Sequence, residues 1–441
     1  MDLTSSKILL GAGGASGSES YWIREFEHSS LNIYGGGVCV DGSSPVYLNA
    51  RLNDSNNHKP LQIQLDKDGN VQWQTELVYA YSNPYWAYQS LGSPAVDSAG
   101  NVYYTAYADM TGNNTGKYYG LLIKYNSSGT IQWQQRLSLS GNNMIYYAPI
   151  VDSSNNVYVP FQVGLYSHSY KGGLVKYNSS GVLQWQRNQW INGIALYGAN
   201  SDVDSSGNIY QLSYARSSTY ANFEPKVFKY NSSGTIQWQK RLRNSNYHVF
   251  PAELKVDNSG NIYILTEMNY DCYLIKLNSS FVIQWEKQLD GGGWTVARKS
   301  LCLDSAGNPY ILVTSNSNSD IVKYNSSGTL QWQRRIAAGT YFNAYNITVN
   351  DNADAIYLNG VYYHSWSTPP ARHAVVKLPA DGSLTGTYGN WTYSVSTLTD
   401  TATSTHIASN TSWNNSSTSY SDTPSAWTNS NTSLTSSLIT L

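Results

Sequence analysis

The sequence predicts an all-β fold, a seven-bladed β-propeller of four-stranded antiparallel blades. Seven tryptophans each precede an aspartate, by 19 residues in six cases and by 24 in one. Repetition with a period of about 50 residues indicates stacked or radially arranged units. The 38 tyrosines and 35 glycines are typical of an all-β protein with many tight turns. The tryptophans are Trp22, Trp73, Trp133, Trp185, Trp238, Trp285 and Trp332, and the aspartates are Asp41, Asp97, Asp152, Asp204, Asp257, Asp304 and Asp351.

Each repeat contains two tight hairpins, as residues 95–134 illustrate. A short strand ends at Val96, and the turn Asp-Ser-Ala-Gly-Asn at 97–101 leads into a second strand. A third strand at 121–125 turns through Asn-Ser-Ser-Gly into a fourth at 130–134. Asp or Asn begins each turn because its side chain bonds backbone N–H groups further along. Glycine supplies the positive φ that closes the hairpin.

The third and fourth strands recur with little change, and a lysine precedes the tryptophan by nine residues, with Gln64 as a variant. One four-stranded sheet cannot bury both faces, whereas radial stacking of such sheets does. The copies are QLDKDGNVQWQ (64–74), KYNSSGTIQWQ (124–134), KYNSSGVLQWQ (176–186), KYNSSGTIQWQ (229–239), KLNSSFVIQWE (276–286) and KYNSSGTLQWQ (323–333).

The N-terminus is predicted to complete the last blade. That blade has its first strands around 351–357 and its third strand at 374–378, but Gly386 stands where tryptophan is expected. The segment 20–27 resembles a fourth strand, and its Trp22 keeps the spacing to the next aspartate. Joining the two chain ends in one blade would leave no open sheet edge between them.

The repeats resemble the β-propeller repeat family often called SBBP, whose pattern reads roughly VDSSGNIY…KLNSSGTLLW. This resemblance covers about residues 20–378 and implies the propeller fold, but it implies no particular activity. The uniform tandem units, the AGG-rich N-terminus and the Ser/Thr-rich tail also resemble structural and adhesion proteins of tailed bacteriophages. The stretches that match the repeat pattern are VDSAGNVY (96–103), VDSSNNVY (151–158), VDSSGNIY (203–210), VDNSGNIY (256–263) and LDSAGNPY (303–310).

Three segments follow from this reading. Residues 1–19 are small and predict a flexible linker or docking arm, and residues 20–382 form the propeller. Residues 383–441 hold 36 Ser, Thr or Asn among 59 residues and neither Lys nor Arg, which predicts an extended C-terminal arm with little core of its own. Such an arm is either disordered or ordered against a partner or a second copy, and we favour the second.

The variable loops predict the binding surface. Both hairpin turns of every repeat share one rim, while the variable loops share the other rim and carry many aromatic residues, including Tyr170, Phe223 and Phe250. Variable loops on a rigid scaffold usually carry binding, and aromatic rings suit sugars or protein partners. Packing between blades is the structural alternative for each ring, and we expect it for the repeated tryptophans. The candidate binding residues are Tyr85, Trp86, Tyr119, Tyr147, Trp190, Tyr197, Tyr247, Trp294 and Tyr345.

Chemistry beyond binding finds little support in the sequence. The net charge of −1 gives no basis for binding nucleic acid, and no apolar run reaches membrane-spanning length. The turn aspartates lack the alternating carboxylates of a calcium loop, and the seven histidines form no metal-binding spacing. We therefore predict no metal, no cofactor and no catalytic residue. Carboxylate pairs of the glycosidase kind stay open, with four acids placed in loops, Glu224, Glu253, Glu267 and Asp320.

The three cysteines predict no disulfide framework, because Cys39 and Cys302 lie in distant units. With a poor secretion signal at the N-terminus, these features favour a non-enzymatic structural or adhesion protein of a tailed phage, located in the virion. Its expected partners are other virion proteins or a host surface glycan, and the arm could form a homo-oligomer. The alternative is a secreted or surface-attached bacterial carbohydrate-binding propeller, and a glycan hydrolase is a third possibility.

Overall fold

The structure is a computed structural model of the 441-residue chain. All regular structure among the described residues is β-strand, and no helix there is long and apolar enough to cross a membrane. The described residues are 3–12, 20–28, 31–42, 44–54, 57–79, 87–89, 92–109, 118–138, 143–164, 170–190, 194–217, 223–290, 298–315, 318–338, 341–363, 371–410, 414–417, 421–424, 427–431 and 434–439.

The fold is a seven-bladed β-propeller, as the repeats predict, and each blade has a four-stranded antiparallel core. The N-terminal strands are β1 (Leu3–Ala12) and β2 (Ser20–His28). Blade 1 contains β3 (Asn32–Val40), β4 (Val46–Asp54), β5 (Asn57–Leu65) and β6 (Val71–Tyr79).

Blades 2 to 5 form one compact unit of the chain together with residues 400–426. In blades 2 and 3 the first strand is interrupted, so each of these blades carries two short inner segments. Blade 2 contains β7 (Ala87–Gln89), β8 (Ala95–Val96), β9 (Val102–Asp109), β10 (Tyr118–Tyr125) and β11 (Ile131–Ser138). Blade 3 contains β12 (Asn143–Tyr146), β13 (Ile150–Val151), β14 (Val157–Gly164), β15 (Lys171–Tyr177) and β16 (Leu183–Trp190). Blade 4 contains β17 (Ile194–Val203), β18 (Ile209–Ser217), β19 (Glu224–Tyr230) and β20 (Ile236–Arg243). Blade 5 contains β21 (Phe250–Val256), β22 (Ile262–Met268), β23 (Asp271–Leu277) and β24 (Ile283–Asp290).

The other compact unit contains blades 1, 6 and 7. Blade 6 contains β25 (Arg298–Leu303), β26 (Pro309–Ser315), β27 (Asn318–Tyr324) and β28 (Leu330–Ala338). Blade 7 contains β29 (Tyr341–Val349), β30 (Ala355–Tyr363) and β31 (Arg372–Pro379), and its fourth strand is β2 from the N-terminus.

The closure of blade 7 by the N-terminal strand is confirmed. β2 pairs antiparallel with β31, and Trp22 lies opposite Lys377. The same lysine–tryptophan register recurs in the other blades, for example Lys124 opposite Trp133. The spacing of nine residues reflects this register, because it brings the two positions face to face across a hairpin.

The hydrophobic core lies in the layers between neighbouring blades. Between blades 7 and 1, the fully buried Trp22 and Tyr357 pack with Val46 and Leu48. Between blades 4 and 5, Tyr210 packs in a cluster of buried leucines and isoleucines. Full burial of each large side chain stabilises the fold by about 1.5–3 kcal/mol, so stacking of the blades accounts for much of the stability.

The C-terminal arm adds one strand to the outer edge of every blade, in the reverse of chain order. Between the ring and the arm, β32 (Gly386–Tyr388) forms a short hairpin with the first arm strand. The arm strands are β33 (Trp391–Val395) on blade 6, β34 (Thr399–Ala402) on blade 5, β35 (Ile407–Asn410) on blade 4, β36 (Asn414–Ser417) on blade 3, β37 (Ser421–Pro424) on blade 2, β38 (Trp427–Asn431) on blade 1 and β39 (Leu434–Ile439) on blade 7. We call β33 to β39 the belt.

Both chain ends pair with the blades. The segment 1–19, expected as a flexible linker or docking arm, contains β1, which pairs with β2 on one side and runs parallel to β39 on the other. The arm pairs with the blades of its own chain, and its ordering against a partner or a second copy stays a prediction. Both pairings have one physical cause. The fourth strand of each blade presents free N–H and C=O groups, and a nearby extended segment satisfies them.

Candidate functional site

The hairpin turns form one rim of the blades, and their acidic side chains cap backbone groups. Oδ1 of Asp97 accepts hydrogen bonds from the N–H groups of Ala99 at 3.0 Å and Asn101 at 2.9 Å. Oδ2 of Asp97 accepts one from the Tyr103 hydroxyl at 3.0 Å. Four further turn aspartates show the same backbone bonds, namely Asp152, Asp204, Asp257 and Asp304. Over the described ranges, no group of three or more His, Cys, Asp or Glu side chains could hold a metal ion.

Five of the seven repeated tryptophans contact the next blade. Nε1 of Trp133 donates to the carbonyl of Ser179 at 3.0 Å, and the indole lies against Gly181. A Cβ atom at that glycine would approach the indole to 2.8 Å, so a larger residue would not fit. Trp22, Trp185 and Trp332 donate to Lys67, Ser232 and Ala380 in the same way. Trp238 packs on Phe281 of the next blade at a ring distance of 5.5 Å. The contacts of Trp73 and Trp285 within their own blades are with Tyr47 and Tyr263.

The structure describes five of the nine predicted rim side chains, and these five are partly or well exposed. Tyr85, Trp86 and Trp294 lie outside the described residues, and only the backbone of Trp190 is described, as the last residue of β16. The five described residues are Tyr119, Tyr147, Tyr197, Tyr247 and Tyr345. The first four belong to blades 2 to 5, and Tyr345 belongs to blade 7.

A continuous row of rings crosses blades 3, 4 and 5, and we call it the aromatic stripe. Its members in order are Tyr170, Tyr197, Tyr214, Phe223 and Phe250, with successive centroid distances of 5.3, 4.8, 6.2 and 4.7 Å. The second pair is stacked, with an angle of 12° between the ring planes. All five rings are partly exposed, and Phe250 keeps 39% of its surface accessible. Tyr214 was not among the predicted rim residues, because it lies within a regular strand, β18 (Ile209–Ser217), and not in a variable loop.

The loop that carries the end of the stripe is held by specific hydrogen bonds. Nδ1 of His248 accepts from the backbone N–H of Phe223 at 3.1 Å, and its ring meets Phe223 edge-on at 5.2 Å. Oδ1 of Asn244 caps the turn by accepting from the N–H groups of Asn246 and Tyr247. Tyr247 is 47% exposed on this fixed turn. The loop therefore presents its aromatic rings from a defined backbone, which lowers the entropy cost of binding a ligand.

Tyr147 lies beside the stripe from the blade 3 side. Burial and the neighbouring phenols of Tyr214, Tyr107 and Tyr197 raise its pKa well above the usual range. Its hydroxyl donates to Oε1 of Gln162 at 2.7 Å. It is therefore a neutral phenol at physiological pH and offers a hydrogen-bonding group without charge.

Tyr345 belongs to a separate tyrosine cluster in blades 7 and 1. Tyr341 and Tyr363 meet edge-on at 5.4 Å, and burial beside Tyr34, Tyr345 and Tyr341 raises the pKa of Tyr363 to about 12. The ring of Tyr345 lies directly on Gly35, where a Cβ atom would come within 2.6 Å of it. This close fit favours a packing role for Tyr345 over a ligand contact.

The acids that the sequence placed in loops lie in strands, which is a correction. Glu224, Glu253, Glu267 and Asp320 belong to β19, β21, β22 and β27. The sequence did not show this, because the variable segments carry no repeated residues that mark where a strand begins or ends. Asp320 is buried in a two-bond ion pair with Arg335 at 2.9 Å per bond, and Glu224 pairs with Lys226 at 2.6 Å. Such pairing makes both carboxylates structural.

Asp271 and Asp290 form a close pair of carboxyl groups in blade 5. Burial raises the pKa of Asp271, and its carboxyl group hydrogen-bonds to that of Asp290. Glycosidase pairs are separated by about 5 Å or more, to leave room for the reacting sugar or a water molecule. Two carboxyl groups in direct hydrogen-bond contact are closer than this, so the pair does not fit that chemistry.

Comparison with known proteins bears on the fold alone. No protein-family model matches the sequence, and no curated protein matches it. A protein of unknown function from Bacteroides caccae is 14% identical with a TM-score of 0.38, over 69% of this chain and 93% of the other. A protein of unknown function from Dyadobacter fermentans is 9% identical with a TM-score of 0.45, over 80% and 96%. A PL25 ulvan lyase is 8% identical with a TM-score of 0.47, over 76% and 92%.

Proposed function

We propose that this protein is a non-enzymatic adhesion protein whose aromatic stripe binds a surface polysaccharide. The single observation that carries the proposal is the stripe itself, a row of five partly exposed rings on three adjacent blades. Flat rings stack on the apolar faces of sugars, and tyrosines also offer a hydroxyl to the sugar hydroxyls. A row suits a chain of sugar units better than a single one.

The uncharged rings of the stripe support a ligand that is bound by stacking and neutral hydrogen bonds. Tyr147 contributes an uncharged phenol, and His248 is engaged through Nδ1 with the backbone. The closely paired acids Asp271 and Asp290 lack the spacing that glycoside hydrolysis requires. These observations favour binding without cleavage.

We place the adhesion protein in the virion of a tailed phage, with the ring displayed to the host. The support is the resemblance of the tandem units, the AGG-rich N-terminus and the Ser/Thr-rich tail to phage structural proteins, and the SBBP-type repeats agree with such a ring. The alternative is a secreted or surface-attached bacterial propeller that binds the same class of ligand. Mass spectrometry of purified particles separates the two, because absence from the particles would exclude the virion assignment.

Binding of the full-length chain to host cells and to their extracted surface polysaccharide tests the ligand assignment. Two variants change the stripe, Tyr197→Ala and Phe250→Ala. The matched control is Val282→Ala, which trims a 55% exposed apolar side chain on the hairpin rim. Loss of one stacking ring should weaken binding about tenfold, given roughly 1.4 kcal/mol for a ring contact.

The expected result is saturable binding that is weakened in both stripe variants and unchanged in the control. Binding that is equally strong in all four proteins would move the ligand site away from the stripe. The absence of saturable binding by a folded chain would reject the adhesion function. Release of shortened sugar chains during the assay would reject its non-enzymatic character.

A further inference from the structure

Blade 5 differs from its neighbours at the position that follows the repeated tryptophan. The other fourth strands of the ring carry glutamine there, except β2, which carries an isoleucine. Blade 5 carries Glu286, and its side chain is fully buried. The glutamines are Gln74, Gln134, Gln186, Gln239 and Gln333. A buried carboxylate destabilises the fold by several kcal/mol unless it is paired and hydrogen-bonded, so this substitution needs a structural reason.

The arm segment between β34 and β35 surrounds the Glu286 carboxylate with hydrogen-bond donors. Oε1 accepts from the hydroxyls of Thr403 and Thr405, each at 2.6 Å, and from the backbone N–H of Thr405 at 3.1 Å. Oε2 accepts from the backbone N–H of His406 at 3.2 Å and lies 3.2 Å from Nδ1 of that ring. The backbone carbonyl of Glu286 accepts from the N–H of Thr403 at 3.1 Å. Both oxygens are therefore satisfied by residues of one short arm segment.

The His406 ring is fixed from the blade side as well. It is completely buried and meets the ring of Tyr273 edge-on at 5.3 Å. Its Nε2 lies 3.5 Å from the Thr266 hydroxyl. Blade 5 thus provides a pocket that holds the His406 ring and a carboxylate that accepts hydrogen bonds from Thr403 and Thr405. These contacts are specific to the side chains of this arm segment.

The belt needs a device of this kind because its own sequence defines register poorly. It is rich in Ser, Thr and Asn and lacks a regular apolar face. Strands of this sort slip easily, because no buried face penalises a shift. Side-chain contacts from the ring must therefore fix which arm residue meets which blade. Trp391 is another fixed point, since its Nε1 donates to Glu25 at 2.8 Å and its ring is buried.

The larger residues of the arm recur in its sequence at a regular spacing. They recur every seven or eight residues, and each is the first residue of a belt strand or directly precedes one. These residues are Trp391, Leu398, His406, Trp413, Tyr420, Trp427 and Leu434.

We propose that the edge of blade 5 at Glu286 is a strand-docking site that recognises the Thr403-Ser404-Thr405-His406 segment of the same chain and sets the register of the belt. The partner it fits is an extended segment with the pattern Thr-x-Thr-His. Hydroxyls at the two threonine positions and a free backbone N–H at the last two positions are required. The docking site adjoins the loop at the end of the aromatic stripe, since Nδ2 of Asn244 donates to the carbonyl of Thr405 at 3.0 Å, but the proposal does not depend on glycan binding.

Hydrogen–deuterium exchange of the full-length protein tests the docking site. Glu286→Gln removes the charge but keeps the shape, and it restores the residue that most other blades carry. Thr405→Val removes one arm hydroxyl with little change in volume. The matched control is Thr401→Val, which makes the same substitution at an exposed arm position. Amides of Thr405 and His406 should exchange at least about tenfold faster in the first two variants, since a hydrogen bond to a charged group contributes about 1.5–3 kcal/mol.

The expected pattern is faster exchange in residues 399–410 of both test variants, with ring amides in β19 unchanged and the control like wild type. The double variant should exchange no faster than Glu286→Gln alone, because both changes remove one interaction. Exchange in the test variants that matches the control would overturn the docking site. Protection that rises with protein concentration would overturn the assignment to the same chain and indicate a second copy as the donor.

Discussion

Removal of the Trp22 indole tests how the ring is closed. Trp22 is the only one of the seven repeated tryptophans that is fully buried, whereas the other six are partly exposed. The difference follows from β1, which pairs along most of β2 and places Leu9 opposite Trp22. The belt strands on the other blades pair beyond the tryptophan, as in blade 2, where pairing with β37 begins at Gln135. Strand β1 therefore extends alongside Trp22, whereas no belt strand pairs at the level of Trp185.

The expected magnitude follows from burial and one hydrogen bond. Replacement of a buried tryptophan by alanine lowers the free energy of unfolding by about 3–5 kcal/mol. The carbonyl of Lys67 would lose the indole N–H at 3.0 Å but keep the Lys377 ammonium at 3.4 Å, so it would not be left unpaired. We expect about 4 kcal/mol for Trp22→Ala, about 2 kcal/mol for the half-buried Trp185→Ala, and about 1 kcal/mol for Trp22→Phe, which removes mainly the hydrogen bond.

Guanidinium unfolding, followed by far-ultraviolet circular dichroism, measures the three variants beside wild type. The ranking Trp22→Ala, then Trp185→Ala, then Trp22→Phe supports closure by a fully packed N-terminal strand. Equal losses for the two alanine variants would show that β1 adds no cover. A loss below about 1 kcal/mol for Trp22→Ala would contradict the closure itself, because a buried indole cannot be removed so cheaply.

Three further changes have defined outcomes. Burial alone would raise the pKa of Glu286, but the bonds and charge from the arm lower it from 4.5 to about 2. Its stabilisation, at most about 3 kcal/mol, is complete above pH 4.5 and is lost as the pH falls toward 2, so arm amides should lose protection in acid, and much less so in Glu286→Gln. Phe281 has a φ of 66° and packs on Trp238. Phe281→Gly removes about 1–2 kcal/mol of backbone strain but about 2–3 kcal/mol of burial, so thermal unfolding should show a net loss of about 1 kcal/mol. Gly181→Ala places a Cβ 2.8 Å from Trp133 at a φ of 79°, and the same measurement should show a loss of about 2 kcal/mol; no loss would mean that the tryptophan moves freely.

The blade repeat could be predicted because each unit repeats the same local chemistry. The turn aspartates act within four to six residues, and the lysine and tryptophan of a hairpin face each other in a fixed register. Closure by β2 could be predicted as well, since Trp22 kept its spacing to Asp41 when the last blade lacked a tryptophan. These patterns are local, so they can be recognised in the sequence without the tertiary structure.

The belt and the stripe could not be predicted in the same way. The belt forms through pairings across up to several hundred residues, such as Leu3 opposite Leu434. Only its first strand, β33, alternates between apolar and polar residues, and the polar sequence after it gives no such signal. Glu286 was visible only as one changed letter in a repeat. The stripe depends on which loop residues meet in space, so Tyr197 was predicted but its stacking partner Tyr214 was not. A change of residue type at a repeated position was the one available signal for the docking site.

The belt also offers a physical account of the low charge of this protein. Exposed strand edges invite pairing between molecules, and many proteins prevent this with lysines or other charges at the edge. Only 12% of this chain is charged, yet each of its seven blades would end in an open strand. The arm covers those edges and leaves outermost strands of only three to six residues, and short strands are poor templates for further pairing. Because the arm and not charge protects the strand edges, the arm must stay in register with the blades. That requirement is what a buried carboxylate at Glu286 fulfils, because its bonds form only when Thr405 and His406 occupy blade 5.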